Sequence, residues 1–293
     1  MLVALIQMGL LFLTAGCVLN GYEKPPQKLK TPYVGAVSLV DLSTVSEKGE
    51  YQYEAQITAS FSKTQQRTAE AIRRANIQID PAFRGIQCQL TSETQVQKGS
   101  ETSVPVSVGP LELRTVTASN GLLIPEISPG VYQKMLLPHF AAGLYFLKAS
   151  GLKDQTPSFA VEFSMPEEVR NVRVNGHGLE EGPAVVQKSA DCSIEIDPPT
   201  MPSDMNIIEV LVLTEQNQQK RILACGILES QLEQINGKEQ LMIPTAQLAG
   251  LYASPSAVIE VLRVNALSGT VASGPQLRLD GIRAWLWPAL VAE

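Results

Sequence analysis

Few side chains in this chain can do chemistry. Across 293 residues there are two histidines and four cysteines. His139 and His177 each stand alone, with no second histidine or cysteine at ligand spacing, whereas a zinc site needs three or four converging ligands. Asn175-Gly176-His177-Gly178 reads as a tight turn, and His139 follows Pro138 in another. Both are expected to be solvent-facing loop histidines. Ser60-Phe61-Ser62-Lys63 has the S-x-x-K spacing of serine acylation. That chemistry needs the serine at a helix start, with S-D-N and K-T-G elements beside it. Here the serine falls in a run of β alternation and neither companion occurs. No G-x-S-x-G, phosphate-binding loop, dinucleotide fingerprint or EF-hand loop is present. Asp191, Glu195 and Asp197, or Glu180 and Glu181, offer oxygen ligands of the kind calcium takes. A solvated strand face is the plainer reading of both groups. Carboxylate pairs for glycoside cleavage work beside aromatic subsites, and aromatics are only 5%. The expectation is a non-enzymatic protein without metal or cofactor.

The cysteines say more. After Cys17, three remain: Cys88, Cys192 and Cys225. Three is odd, so at least one thiol stays free or pairs between chains. Cys192 and Cys225 fall in the same half and are the expected bridge. The alternative is three small buried apolar residues. Cys17 closes an opening segment with no charged side chain, in which Leu2 to Thr14 is almost continuously apolar. That run is shorter than the roughly 20 residues of a spanning helix and fits the apolar region of a secretory signal. The usual Lys or Arg before it is absent.

Thr14-Ala15-Gly16-Cys17 resembles the lipobox of bacterial lipoproteins, in which small residues precede a cysteine that is lipidated and becomes N-terminal. The family prefers a larger aliphatic where Thr14 stands. The resemblance implies a signal over residues 1–16, two or three acyl chains on Cys17, and attachment to a membrane through them. One chain holds only reversibly, at about 0.8 kcal/mol per buried methylene, and several hold for good. Val18, rather than Asp, follows the cysteine. In Gram-negative members that points to the outer rather than the inner membrane. Residues 17–32 then read as a tether, with Pro25, Pro26 and Pro32 among Lys24, Lys28 and Lys30.

The elements behind this anchor read as strands. Hydrophobic residues are 44% and charged residues 18%, which favours a packed core over disorder. The net charge of −6 makes nucleic acid a poor partner. In Tyr51 to Phe61 the apolar residues Tyr51, Tyr53, Ala55, Ile57, Ala59 and Phe61 share one face, the signal of a half-buried strand. Lys63 to Ala75 breaks the pattern with helix formers and is expected as a short inserted helix, its Lys63, Arg67, Arg73 and Arg74 solvated. Short strands separated by Asn120-Gly121, Ser128-Pro129-Gly130 and similar punctuation then continue to Phe163. A joint is expected over Ser164 to Glu168, followed by a second run of strands to Leu286. Trp285 and Trp287 share a face of the last strand and are expected to line its core. The chain therefore divides into an expected domain 33–166 and a second, 167–293, both all-β.

Tyr132 to Pro166, with AGLYFLKASG and PSFAVEFSMP, and the later strand ending Ile222-Leu223-Ala224-Cys225, are similar to segments of secreted or lipid-anchored proteins of predatory and gliding bacteria. The similarity spans residues 50–288 and implies two immunoglobulin-like β-sandwich domains. It implies no activity. The expected function is a lipid-anchored envelope protein engaged in adhesion, display or scaffolding, with an envelope protein or a glycan as partner. The alternatives are a small-molecule or glycan-binding lipoprotein and an unrecognised hydrolase.

Overall fold

The computed structural model describes residues 33–45, 51–63, 83–92, 104–118, 120–136, 139–153, 155–201, 203–270 and 275–293. Cys17, the expected signal and tether, and the expected helix after Lys63 lie outside the described residues. The described chain is all-β. Its strands are β1 (Val34–Val45), β2 (Tyr51–Ser62), β3 (Gln87–Ser92), β4 (Leu111–Thr115), β5 (Leu122–Ile124), β6 (Glu126–Ser128), β7 (Val131–Leu136), β8 (Gly143–Ala149) and β9 (Phe159–Met165). After the joint come β10 (Arg173–Val174), β11 (His177–Gly178), β12 (Ala184–Gln187), β13 (Cys192–Ile196), β14 (Asn206–Gln216), β15 (Gln219–Leu228), β16 (Glu233–Ile235), β17 (Lys238–Ile243), β18 (Ser254–Thr270) and β19 (Gln276–Ala292). Among the described residues helix is confined to single turns at Leu179–Glu181, Glu229–Gln231 and Thr245–Leu248. No described helix is long and apolar enough to cross a membrane.

One large sheet runs through the molecule in the order β3-β15-β14-β18-β19-β1-β2-β7-β6. Strand β12 pairs in parallel with the end of β19, from Ala289 onward, beyond the last partner of β1 at Leu286. Two smaller sheets, β5-β4-β8-β9 and β11-β10-β13-β17-β16, complete the fold. The layers follow from period two, which sends alternate side chains to opposite faces. On β19 the odd-numbered residues point one way. Leu277 and Leu279 enter a core with Val37, Leu39, Ile57, Phe61, Leu147 and Phe163. Farther along the same face, Trp287, Ala289 and Val291 enter a second core with Ile194, Val210, Leu223, Leu241 and Ile259. The even-numbered Ile282 and Ala284 join Val40, Leu42, Leu211, Leu262 and Val264 on the reverse of the large sheet.

The boundary expected at 166/167 therefore divides the chain but not the large sheet. The hairpin β18–β19 has two arms of 17 residues each, and β19 serves both cores. Strand β3, from the first half of the chain, pairs with β15 of the second. Gly281 marks where the joint crosses the sheet. A Cβ there would stand 2.5 Å from the Ser164 carbonyl oxygen and 3.2 Å from Met165 Cα, so only glycine lets the linker lie this close. Tight hairpins turn at Asn175-Gly176, Asn217-Gln218 and Asn236-Gly237, all with positive φ. This is the type I′ geometry that matches strand twist.

The expected Cys192–Cys225 bridge is not formed. The disulfide is Cys88–Cys225, with Cα atoms 4.1 Å apart. The reason is register: Cys88 on β3 lies directly opposite Cys225 on β15. Cys192 lies on β13 in the smaller sheet and is a free, buried thiol in the second core. Burial pushes that thiol up to about 12, which keeps it protonated and inert.

Candidate functional site at the joint between the two cores

The site is assembled from strand faces and one loop. Alternation on β1 turns Asp41 and Ser43 to the same face as Val37 and Leu39, and on β19 it turns Arg283 and Trp285 the same way. The segment after β7 brings His139 and Phe140. The linker from Pro166 to Arg170 lies over them. Together with Thr200 and Met201 these residues line a half-open cleft of about 400 Å³ between the two cores.

Two arginines hold the joint. Arg263 and Arg283 are cross-strand partners on β18 and β19, on the face that carries the cores. Arg283 donates from Nε to the Pro166 carbonyl at 3.1 Å, from Nη1 to Asp41 and from Nη2 to the Phe140 carbonyl. Burial pulls its guanidinium below the ordinary arginine range, and the Asp41 carboxylate opposes that shift. Arg263 is fully buried. Its Nε donates to Glu229 Oε1 at 2.5 Å, Nη1 to the Glu168 and Glu167 carbonyls at 2.9 and 3.4 Å, and Nη2 to the Asp197 carbonyl at 3.3 Å. Glu229 is completed by Asn206, whose Nδ2 donates to Oε2 at 2.8 Å. Each arginine thus ties a buried carboxylate to carbonyls of the linker. This satisfies the linker backbone without a strand partner. Trp285 adds a third tie, donating from Nε1 to the Val169 carbonyl.

His139 is bound rather than free. Its Nδ1 lies 2.6 Å from Asp41 Oδ1, and its ring centroid is 4.3 Å from that of Tyr53, with the two planes nearly perpendicular. Its side chain remains 38% exposed, so the expectation of a loop histidine holds for exposure and misses the partner. Asp41 is shared between Arg283 and His139. Among the described residues no hydroxyl is hydrogen-bonded to His139. Glu167 faces the cleft. Burial raises its carboxyl, but donors from the Thr200 hydroxyl and from the Thr200 and Met201 N–H groups bring it below the usual range.

The other sequence candidates lie elsewhere. His177 is 63% exposed on β11 and pairs with Glu181 at 3.0 Å. Asp191 accepts from the Thr245 N–H and hydroxyl. Asp197 holds Lys238 and Asn171. Among the described residues no three His, Cys, Asp or Glu converge as a metal site. Ser60 lies within β2, as its alternation predicts. Trp287 is buried in the second core and donates to the Gly182 carbonyl at 3.0 Å. No motif marks Asp41, Arg263 or Arg283, and His139 stands out in the sequence only as a lone histidine. A signal for the arginines was present: each occupies a core-facing position in an apolar alternation, Ile259-Val261-Arg263 and Arg283-Trp285-Trp287.

No protein-family model matches the chain, and no curated protein matches it. Similar solved structures include two of multidomain proteins. The FN1–FN3 domains of chicken CNTN1 match at 8% identity and a TM-score of 0.22, over 86% of this chain and 65% of that one. A point mutant of Salmonella alpha-2-macroglobulin matches at 9% identity and a TM-score of 0.19, over 88% of this chain and 19% of that one. This chain thus spans less than two thirds of either.

Proposed function

We propose that the protein is a non-catalytic interaction module of the bacterial cell envelope, held at the outer membrane by lipid on Cys17. One observation carries the interaction role: two sandwich cores share the β18–β19 hairpin, and two buried arginines fasten the linker to it. A body built this way presents loops and sheet edges at fixed spacing, which suits display or scaffolding of an envelope protein or a glycan. The Thr14-Ala15-Gly16-Cys17 sequence and the proline-containing tether support the anchor. Cys17→Ser is expected to move the protein from the membrane pellet to the soluble fraction and to abolish labelling by radioactive palmitate. Membrane retention of that variant, or labelling that persists, contradicts the anchor.

The cleft favours a second reading, a small-molecule or glycan-binding lipoprotein. A concave site with a few convergent polar groups is the usual form of such a pocket. On this reading a sugar or amino acid from a defined panel raises the melting temperature, and Ala142→Trp, which fills the cleft from an exposed lining position, removes that rise. A panel that gives no rise, or a rise unaffected by Ala142→Trp, leaves the scaffold role alone.

A further inference from the structure

The arginine pair has a feature that neither display nor ligand binding requires. Arg263 carries one positive charge and faces two buried carboxylates. Glu229 takes its Nε, while Glu239 Oε2 stands 3.8 Å from Nη2. Glu239 lies on β17 opposite Ile196 and Gln234, it is buried, and its Oε2 has no hydrogen-bond donor among the described residues. With both carboxylates ionised, the cluster would hold a net buried negative charge, which is costly in a low dielectric. With Glu239 neutral, the charges of Arg263 and Glu229 cancel and the remaining guanidinium donors stay on the linker carbonyls.

We propose that the joint between the two cores is proton-sensitive, with Glu239 as the titrating group and the grip of Arg263 on residues 167–168 as the element it controls. Ionisation of Glu239, its proton passing to solvent, draws Arg263 Nη2 and Nη1 toward the new charge and away from the Asp197, Glu167 and Glu168 carbonyls. The linker then loses its donors on one side. Burial, and after it the neighbouring Glu229, raises the Glu239 carboxyl to about 7, against the pull of Arg263. A carboxyl that binds its proton more tightly in the folded than in the unfolded chain favours folding at low pH. That contribution is lost as pH rises through the folded value. The joint is therefore tight below pH 6 and loosened above pH 8.

Charged groups reach the cluster from several elements, the linker included: Glu167 feels the charge of Arg263 while Thr200 and Met201 donate to its carboxylate, and Glu168 acts on Arg283. Glu229 approaches from its helical turn and Arg263 from β18. Asp197, at the end of β13, is occupied by Lys238 of β17 and by Asn171. Arg283 on β19 is held by Asp41, which also binds His139. His139 also reaches this joint, 2.6 Å from Asp41, and the experiment separates it from Glu239.

Hydrogen exchange of peptides covering residues 164–172, corrected for intrinsic rate, should show at least a tenfold loss of protection between pH 6 and pH 8.5. Glu239→Gln, permanently neutral and of the same shape, should show less than a threefold loss. His139→Gln should keep the wild-type loss. Flat protection in the wild type, an undiminished loss in Glu239→Gln, or a loss abolished by His139→Gln overturns the proposal. If Glu239→Gln does not fold, carboxyl carbon NMR of the wild type decides: a Glu239 midpoint between pH 6 and 8 supports the proposal and one below 5 refutes it.

Discussion

Arg263→Met is expected to lower the unfolding free energy by about 3–5 kcal/mol, the usual cost of removing one partner of a buried ion pair. The cost arises from what is left behind. Glu229 would stay at a buried position without its cation, with Asn206 as its remaining side-chain donor among the described residues. The Glu167, Glu168 and Asp197 carbonyls would lose their donors together. A methionine fills most of the volume, so a cavity contributes little. Urea denaturation measures the loss. Replacing the pair, as Arg263→Met with Glu229→Gln, should recover part of it, because the stranded charge is gone. A loss under 1 kcal/mol, or a double variant no better than the single, would mean that the arginine does not hold the joint.

Breaking the Cys88–Cys225 bridge carries the second large effect. The cysteines are 137 residues apart, and chain-entropy reasoning for a loop of that size gives about 5 kcal/mol. The bridge also fixes an edge. Among the described residues strand β3 pairs only with β15 and forms one end of the large sheet. Without the covalent tie, six residues of edge strand must hold their register by backbone hydrogen bonds and a few contacts. The variant Cys88→Ala with Cys225→Ala, compared with the oxidised wild type, should lose about 3–5 kcal/mol in urea denaturation. A non-reducing peptide map should show the 88–225 cross-link with Cys192 unmodified. An unchanged denaturation midpoint, or Cys192 found in the bridge, contradicts the assignment.

Period two made much of the architecture legible. Of the face read from Tyr51 to Phe61, Ala55, Ile57, Ala59 and Phe61 are buried on β2, whereas Tyr53 is exposed. The pairing of Trp285 with Trp287 identified the inward face of β19. The disulfide escaped because proximity along the chain is a poor guide when strands from opposite halves share a sheet. Only the β3–β15 register brings Cys88 to Cys225. The shared sheet escaped for a related reason. An arm of 17 residues looks like one strand of one domain, and nothing local states that its two ends serve different cores. The joint chemistry was half visible. Arginine in a core-facing position signals a buried charge that must find partners, but Asp41, Glu229 and the linker carbonyls are brought to it by the fold. His139 carries no spacing signal, because its partner lies 98 residues away.

One rigid body made from two cores is the claim on which the functional reading rests. Scanning calorimetry of residues 18–293 at pH 6, where the joint is tight, tests it most directly. A single transition with calorimetric and van't Hoff enthalpies in agreement is predicted, since cooperative unfolding of one unit gives that equality. Two resolved transitions, one for each core, would contradict it.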